Sequence, residues 1–424
     1  MVTVLFLSFV ALLFLGVPVA FSLGLSSLIY LVGSGIPLVV IPQRMFAGIN
    51  SFTLLCVPGF ILAGNLMNQG GISDRIVRFS NALVGHIRGG LAQGNVVASM
   101  VFAGVSGTAV ADVSSLGAIL IPAMHRDGYD MDFSCALTAS SACLGPIIPP
   151  SMPMIIAGTL TGLSVGKLFL AGAIPGLLIG FIMMGVTYWL SVKRGYPKYP
   201  KPTWKVFWSE FFGGIWALLM VVIIFAGILG GWFSPTEASV VACLYALFVG
   251  IFVYKDLRVR DVPRVLKESA VMSAGILTLV AFANVLGWIL ASERIPQLIA
   301  RAMLSFTQNR FLIILIINIF LLFVGMFMET IAALMTLFPT LLAVLTQVGV
   351  DPIQAAMICV LNLVIGLITP PVGVCLFVAS SIGKISISRI ARANTLYLLS
   401  CLFVLMLVSY VPVLSTWLPS FLMN

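Results

Sequence analysis

Two acidic residues, Asp112 and Glu329, lie in stretches that are otherwise apolar or small. Each stands ten residues before a proline, Pro122 and Pro339. At the centre of a lipid bilayer an acidic side chain costs about 2.5 to 3.5 kcal/mol on insertion scales. Two such residues at matching positions predict carboxylates that neutralise a bound cation or order a turn of backbone. A cap at a helix end near the membrane surface is the alternative interpretation, and it stays open.

Small and hydroxyl-bearing residues accompany both carboxylates. The segment before Asp112 reads F-A-G-V-S-G-T-A-V-A-D, and the segment around Glu329 reads F-V-G-M-F-M-E-T. Each predicts the polar tip of a re-entrant hairpin. Free carbonyl oxygens at such a tip suit Na⁺, and the returning helix offers N–H groups to a carboxylate. The tip residues are Ser106, Gly107, Thr108, Gly325, Glu329 and Thr330.

A double proline follows each hairpin segment. The motif G-P-I-I-P-P begins at Gly145 and ends in Pro149-Pro150, and G-L-I-T-P-P begins at Gly366 and ends in Pro370-Pro371. Two consecutive prolines remove two backbone donors, so carbonyls one turn earlier lose their partners. A single proline could kink any membrane helix, but the same motif in both halves predicts a broken helix in each.

The composition indicates where these segments lie. Of 424 residues, 61% are hydrophobic and 8% charged, whereas roughly a quarter of a soluble domain is charged. Several charge-free runs are long enough to cross a bilayer, which takes about 20 apolar residues. The chain is therefore predicted to be an all-α polytopic membrane protein whose first apolar segment is a retained span. The seven cysteines form no C-x-x-C pair and are predicted to be buried apolar residues.

Basic residues predict the orientation of the chain. Clusters within 193–205 and 255–267 flank two apolar segments, so both clusters lie on one side, the cytoplasm by the positive-inside rule. Five of the 22 lysines and arginines are then outside: Arg44, Lys167, Arg294, Arg301 and Arg310. The basic and aromatic connector could bind nucleic acid, but contact with membrane lipid is the simpler interpretation, and we expect no nucleic-acid partner.

An internal repeat organises the chain. Landmarks in the two halves stand 221 residues apart, as Gly128 and Gly349 or Gly145 and Gly366 do. The halves are 1–192 and 214–424, joined by the connector 193–213. The predicted hairpins and broken helices are 91–124 with 133–158 in the first half, and 311–347 with 353–381 in the second.

Counting crossings predicts the symmetry of the halves. The first half has five predicted spans, near 2–22, 24–41, 52–68, 133–158 and 166–192. An odd number of crossings inverts the second copy, whose spans lie near 214–233, 237–254, 270–291, 353–381 and 394–418. Inverted repeats with broken helices are the architecture of secondary transporters, which hold substrate and ions between the repeats near the membrane midplane.

The motifs resemble those of a known family. G-V-S-G-T-A-V-A-D-V-S-S-L-G, L-G-P-I-I-P-P-S, S-P-T-E-A and G-L-I-T-P-P-V-G occur in this order, preceded by G-V-P-V-A-F and G-H-I-R-G-G-L-A. Together they resemble the large membrane subunit of tripartite ATP-independent periplasmic (TRAP) transporters, over nearly the whole chain. The resemblance implies an elevator-type transporter in the bacterial inner membrane, driven by Na⁺ and importing an organic acid such as sialic acid or a C4-dicarboxylate.

The resemblance also implies partners and sites. The partners are a small four-span membrane subunit and a periplasmic substrate-binding protein, for which Glu237, Arg294 and Arg301 are docking candidates. Glu237 in S-P-T-E-A is more simply a helix N-terminal residue. The implied Na⁺ sites comprise Ser106, Gly107, Thr108, Asp112, Gly145, Pro149, Gly325, Glu329, Gly366, Thr369, Pro370 and Gly373. The candidate substrate ligands are Ser106, Thr108, Ser151 and Thr330.

Two other functions fit parts of the sequence. G-V-S-G at Ser106 matches the G-x-S-G of rhomboid-type intramembrane serine proteases, but the only histidines, His86 and His125, lie in predicted loops. A stand-alone Na⁺/carboxylate carrier of the same broad fold is the second alternative. The chain has no G-x4-G-K-[ST] sequence, so no ATP-binding loop of that type is predicted.

Overall fold

The computed structural model describes the whole chain except residues 296–297, 299–300, 302–306, 308 and 424, and the side chains of Phe14 and Val105. The described residues form α-helices joined by short turns, which confirms the predicted all-α class. In chain order the helices are α1 (Val2–Phe14), α2 (Val19–Gly33), α3 (Val40–Ile49), α4 (Cys56–Gln69), α5 (Ile72–Val84), α6 (Gly90–Ser106), α7 (Ala109–Arg126), α8 (Met131–Ser141), α9 (Met152–Thr161), α10 (Val165–Lys193), α11 (Trp204–Leu229), α12 (Pro235–Phe248), α13 (Val262–Ser292), α14 (Arg310–Gly325), α15 (Thr330–Gln347), α16 (Pro352–Gly366), α17 (Val374–Gly383), α18 (Ile387–Tyr410) and α19 (Val413–Leu422).

Long apolar helices make this a multi-pass membrane protein. Six helical segments of the described chain are long and apolar enough to cross a bilayer: Val165–Lys193, Trp204–Leu229, Pro235–Val253, Val259–Ser292, Thr330–Gln347 and Ile387–Tyr410. Val40–Ile49 and Thr53–Gln69 form a seventh candidate that is bent by 69°. One of the six, α15, is the returning arm of a hairpin in the sequence prediction, so length and composition alone do not distinguish a span from a re-entrant helix.

The N-terminal spans differ from the predicted ones. Residues 2–22 were predicted as one span, but α1 ends at Phe14 because Gly16 adopts a left-handed backbone (φ 80°) and Pro18 precedes α2. The predicted span 24–41 is also interrupted, since α2 ends at Gly33 and Gly35 is left-handed (φ 66°). A charge-free run therefore contains several short helices, because hydropathy does not register glycine turns.

Four interruptions shape the centre of the molecule. Two are hairpin turns: Gly107-Thr108 joins α6 to α7, and 326–329 joins α14 to α15. The other two are breaks inside apolar helices. The first break lies between α8 and α9 and includes the short 3-10 turn Ala142–Leu144; the second, 367–373, lies between α16 and α17. Each break contains a cis proline bond, Pro149-Pro150 and Pro370-Pro371.

The helix contacts of one half recur in the other. Helix α7 packs on α8 and α17, while its sequence counterpart α15 packs on α16 and α9. Likewise α18 contacts α8, and α10 contacts α16. One contact joins counterparts directly: the Cys143 thiol lies 3.6 Å from the carbonyl oxygen of Val364, which stands 221 positions later. The hairpins and broken helices thus form one packed group around the four interruptions.

The connector is fastened to the start of α8. Arg194 lies 2.8 Å from the Asp130 carboxylate, and the Tyr196 hydroxyl donates to the same carboxylate at 2.7 Å. The Tyr196 ring centre lies 4.5 Å from that of Tyr129 and 4.9 Å from that of Phe133. The hydrogen bond from Tyr196 and, after it, Arg194 lower the pKa of Asp130 against the opposing effect of partial burial. These contacts hold the first residues of the connector against the start of α8.

Candidate functional site

The first hairpin tip encloses a carboxylate. Helix α6 ends at Ser106, Gly107 is left-handed (φ 64°), and Thr108 is extended before α7 begins. Asp112, in the first turn of α7, is fully buried, and the Ser106 hydroxyl donates a hydrogen bond to its Oδ1. Its Oδ2 has no hydrogen-bond partner among the described residues. The tip therefore presents a buried acceptor with unused capacity.

The first tip lies against the first break. A methyl group at Gly145 would collide with Asp112 Oδ2, so glycine allows the carboxylate to approach the break. The Gly107 carbonyl accepts a hydrogen bond from the Met152 N–H at 3.4 Å. Ser151 caps α9 by accepting from the Met154 N–H at 3.3 Å, and its hydroxyl donates to the Pro146 carbonyl at 2.5 Å. Tip and break thus form one polar region inside apolar surroundings.

Glu329 is arranged differently in the second tip. It is the N-cap residue of α15, and its Oε2 accepts hydrogen bonds from the N–H groups of Ile331 at 2.9 Å and Ala332 at 3.2 Å. These groups are among the N–H donors that a helix leaves free at its start. Glu329 is half-buried, and both of these N–H groups donate to the same carboxylate oxygen, Oε2.

The second tip meets the second break through two glycines. A methyl group at Gly325 would lie 3.2 Å from Gly366 Cα, and one at Gly366 would collide with the Gly325 backbone. The Thr330 hydroxyl lies 3.5 Å from the Leu363 carbonyl oxygen. The Thr369 hydroxyl donates to the Ile365 carbonyl at 2.7 Å, and Gly373 is left-handed (φ 57°). Here backbone packs on backbone where the first half has a carboxylate.

The predicted site residues thus fall into two groups. The first group, at the first tip and break, comprises Ser106, Gly107, Thr108, Asp112, Gly145, Pro149 and Ser151. The second, at the second tip and break, comprises Gly325, Glu329, Thr330, Gly366, Thr369, Pro370 and Gly373.

The three docking candidates lie elsewhere. Glu237 forms a capping box with Ser234, whose N–H and hydroxyl donate to Glu237 Oε2 at 2.7 and 2.8 Å. The helix-start interpretation of Glu237 therefore accounts for its contacts. Arg294 and Arg301 are exposed, and Arg294 has a left-handed backbone (φ 55°). The neighbouring Glu293 accepts a hydrogen bond from the Tyr30 hydroxyl.

Sequence reasoning missed a set of buried amides and hydroxyls between the helices. Asn95 donates to Thr138 at 2.6 Å, joining the first hairpin to α8. Asn362 donates to Asn318 at 2.7 Å, joining α16 to the second hairpin. Asn394 contacts both broken helices. Asparagine inside a charge-free span was the available signal, because a buried amide needs partners for both of its ends.

The donor atoms fit a monovalent or other hard cation better than a transition metal. No group of three or more His, Cys, Asp or Glu side chains that could hold a metal ion occurs within the described part of the chain. The first tip offers one carboxylate oxygen that no described residue binds, together with hydroxyl and carbonyl oxygens. Such all-oxygen sets are typical of hard cations, and Na⁺ is held by unwound helix carbonyls in transporters.

The fold is that of known multi-pass transporters. The crystal structure of the Alcanivorax borkumensis YdaH transporter superposes with a TM-score of 0.60, at 15% identity and with 86% of each chain covered. Neisseria gonorrhoeae MtrF superposes with a TM-score of 0.56, at 13% identity, over 87% of this chain and 84% of that one. At these identities the similarity defines the class of fold.

Sequence comparison defines the family. The model for the "Tripartite ATP-independent periplasmic transporter, DctM component" matches residues 6–414. The chain is 42% identical to the sialic acid TRAP transporter large permease protein SiaM of Vibrio cholerae, over 96% of each protein. It is 37% identical to the C4-dicarboxylate TRAP transporter large permease protein DctM of Rhodobacter capsulatus, over 97% of each. The chain belongs to this family of TRAP transporter large permeases, and the intramembrane protease interpretation of Ser106 is therefore wrong.

Proposed function

We propose that this chain is the large permease subunit of a Na⁺-coupled TRAP transporter that imports an organic acid across the bacterial inner membrane. Membership of the DctM family supports the transporter class. The Asp112 carboxylate carries the proposal of Na⁺ coupling. It is fully buried, and only one of its oxygens accepts a hydrogen bond from a described residue. A buried anion needs a compensating positive charge, which a bound Na⁺ supplies.

Two cation sites are proposed, one for each tip and break. In the first, Asp112, the Ser106 hydroxyl and free carbonyls around Gly145 hold the ion. In the second, carbonyls near Gly366 and the Thr369 hydroxyl are the ligands, and Glu329 orders the tip. This assignment rests on Asp112 Oδ2, which has no hydrogen-bond partner among the described residues, and on the two backbone N–H groups that donate to Glu329 Oε2.

The same elements support an elevator mechanism with inverted repeats. Contacts such as α7 with α17 and α9 with α15 recur with the halves exchanged, as a twofold axis between the repeats requires. The hairpins, the broken helices, α10 and α18 pack with one another, whereas α13 packs on α2, α3 and α4. We assign the first group as the moving transport unit and the second as its scaffold. In this scheme α15 is a re-entrant arm.

The substrate is proposed to be a small organic anion. Relatives are named for sialic acid, C4-dicarboxylates and isethionate, each of them an acid. The returning helix α7 begins beside Thr108, where the N–H groups of its first turn and the helix dipole favour an anion. Hydroxyls of Ser106, Thr108, Ser151 and Thr330 are the proposed hydrogen-bonding ligands.

Two proteins complete the proposed transporter: a small four-span membrane subunit and a periplasmic substrate-binding protein. The exposed Arg294 and Arg301 remain the docking candidates for the binding protein, and the connector is proposed to contact membrane lipid. Moving one net charge through 100 mV supplies about 2.3 kcal/mol, so more than one Na⁺ for each monoanion can drive accumulation.

Reconstitution tests this proposal. Proteoliposomes containing the chain, its small subunit and a loaded binding protein should accumulate the organic acid under an inward Na⁺ gradient. An equal K⁺ gradient should give no accumulation. Accumulation without Na⁺ would contradict the coupling. Uptake by the chain without a binding protein would instead favour the stand-alone carrier.

A further inference from the structure

A buried amide joins the two broken helices. Asn394, in α18, is 1% exposed. Its Nδ2 donates a hydrogen bond to the carbonyl of Ile368 at 2.9 Å, and its Oδ1 accepts one from the Ser140 hydroxyl. Ile368 lies inside the second break, and Ser140 lies two residues before the 3-10 turn of the first. One side chain therefore contacts both places where the helices are interrupted.

The Ser140 hydroxyl donates to another helix, whereas nearby hydroxyls of α8 donate to carbonyls of their own chain segment. Serine and threonine in a helix can donate to the carbonyl four residues earlier. In the same helix, Ser134 does so to Asp130 at 3.0 Å and Thr138 to Ser134 at 2.8 Å. Ser140 instead donates across to α18. The interaction thus links separate elements.

The described part of the first half has no corresponding bridge. Helices α10 and α18 have the serine N-caps Ser164 and Ser386, and the eighth residue after each cap is Gly172 and Asn394, respectively. Gly172 packs so closely on the Ile147 carbonyl, the sequence counterpart of that of Ile368, that a methyl group there would collide with it. Glycine cannot donate a side-chain hydrogen bond, so this bridge occurs once among the residues that the structure describes.

We propose that the bridge Ser140–Asn394–Ile368 couples Na⁺ binding at the two breaks, with Asn394 as a positioning residue. This inference rests on the proposed pair of cation sites. The amide fixes the direction of the Ile368 carbonyl within the second break. A cation that orders the first break also orders the end of α8, where Ser140 lies. Through its hydrogen bond to Asn394, Ser140 then restricts the second break. Such coupling is reciprocal, so each Na⁺ raises the affinity for the other.

Na⁺ titration of the chain purified with its small subunit tests the bridge. The readout is the Na⁺-dependent rise in apparent melting temperature, with choline replacing Na⁺ at constant ionic strength. We expect the wild type to titrate with a Hill coefficient approaching about 2, the number of coupled sites. Ser140→Ala and Asn394→Ala should bring the coefficient towards about 1 and lower the Na⁺ affinity of the sites.

A matched control is available on the same helix. Ser400 is 5% exposed and donates within α18 to the Leu396 carbonyl at 2.8 Å. Ser400→Ala should keep the wild-type Hill coefficient. A merely structural role of the bridge would lower the melting temperature without Na⁺ and leave the coefficient unchanged.

The possible failures are distinguishable. An unchanged Hill coefficient in Ser140→Ala overturns the bridge, and this variant decides the question if Asn394→Ala does not fold. If Na⁺ and choline affect the wild type equally, the proposed Na⁺ coupling itself is wrong.

Discussion

The two hairpin tips occupy matching positions in the two halves of the sequence, but their carboxylates make different contacts. Asp112 is fully buried and accepts one hydrogen bond from Ser106 at Oδ1, while Oδ2, which has no partner in the described part of the chain, lies beside Gly145. Glu329 caps α15 through two backbone N–H groups. A duplicated sequence pattern therefore preserves the position of an acidic residue but not its hydrogen-bond partners.

The two breaks also differ in the groups that pack against their glycines. In the first, a carboxylate packs on Gly145; in the second, the backbone of Gly325 packs on Gly366. The first half thus places a buried carboxylate beside its break, and the second brings two helix ends into backbone contact. Substitutions that act on one half more than on the other test this comparison.

The largest effect is expected at Asp112. Asp112→Asn keeps the shape but removes the negative charge, and hydrogen bonds and contacts to charged groups are worth about 1.5 to 3 kcal/mol. The apparent Na⁺ affinity for uptake should therefore fall by more than about tenfold. Uptake by the reconstituted transporter as a function of Na⁺ concentration measures this apparent affinity. A Na⁺ dependence equal to that of the wild type would contradict the assignment.

The next effect is expected at the glycine contact of the second half. Gly366→Ala places a methyl group against the Gly325 backbone, and overpacking of this kind costs about 1 to 3 kcal/mol. The variant should melt at a lower temperature with or without Na⁺. Gly185→Ala in α10 is the control, because no described atom outside the neighbouring backbone of that helix lies within 4 Å of the added methyl group. Equal melting temperatures for the two variants would show that the contact is not tight.

A smaller effect is expected at Glu329. Glu329→Ala removes an N-cap, which costs about 1 kcal/mol. The melting temperature should fall, while the apparent Na⁺ affinity changes by less than about threefold, a change worth under 1 kcal/mol. The same uptake assay that is used for Asp112 provides the comparison. If Glu329→Ala lost Na⁺ affinity as strongly as Asp112→Asn, the two tips would be equivalent.

The smallest effect is expected in the exposed capping box. The N–H and hydroxyl groups of Ser234 donate to Glu237 Oε2 at 2.7 and 2.8 Å. A negative charge at the start of a helix also interacts favourably with the helix dipole. Glu237→Gln removes this charge and should therefore melt slightly below the wild type at neutral pH. A variant that melts above the wild type would contradict this contribution.

The sequence predicted the features that depend on a recurring motif. It did not predict the features that depend on one hydrogen-bond partner. The motifs at Gly145 and Gly366 predicted two broken helices, and helical segments end beside both glycines. The different tasks of Asp112 and Glu329 depend on which donors face each carboxylate, and spacing does not encode that. Asn394 illustrates the same limit, since its partners in α8 and the second break lie 254 and 26 residues away.

Hydropathy had a similar limit at the N-terminus. The run that contains Gly16 and Pro18 has no charge to mark a boundary, yet backbone geometry ends α1 at Phe14. Orientation in the membrane, by contrast, rests on basic residues alone and remains a prediction of the sequence.

Equilibrium binding of radioactive Na⁺ to the purified complex tests the central claim most directly. Comparison of the wild type, Asp112→Asn and Glu329→Gln at saturating Na⁺ gives the number of ions held by each. We predict that Asp112→Asn binds at least one Na⁺ fewer than the wild type, whereas Glu329→Gln binds the wild-type number. An unchanged number in Asp112→Asn would contradict the claim that the buried carboxylate of the first tip holds the cation.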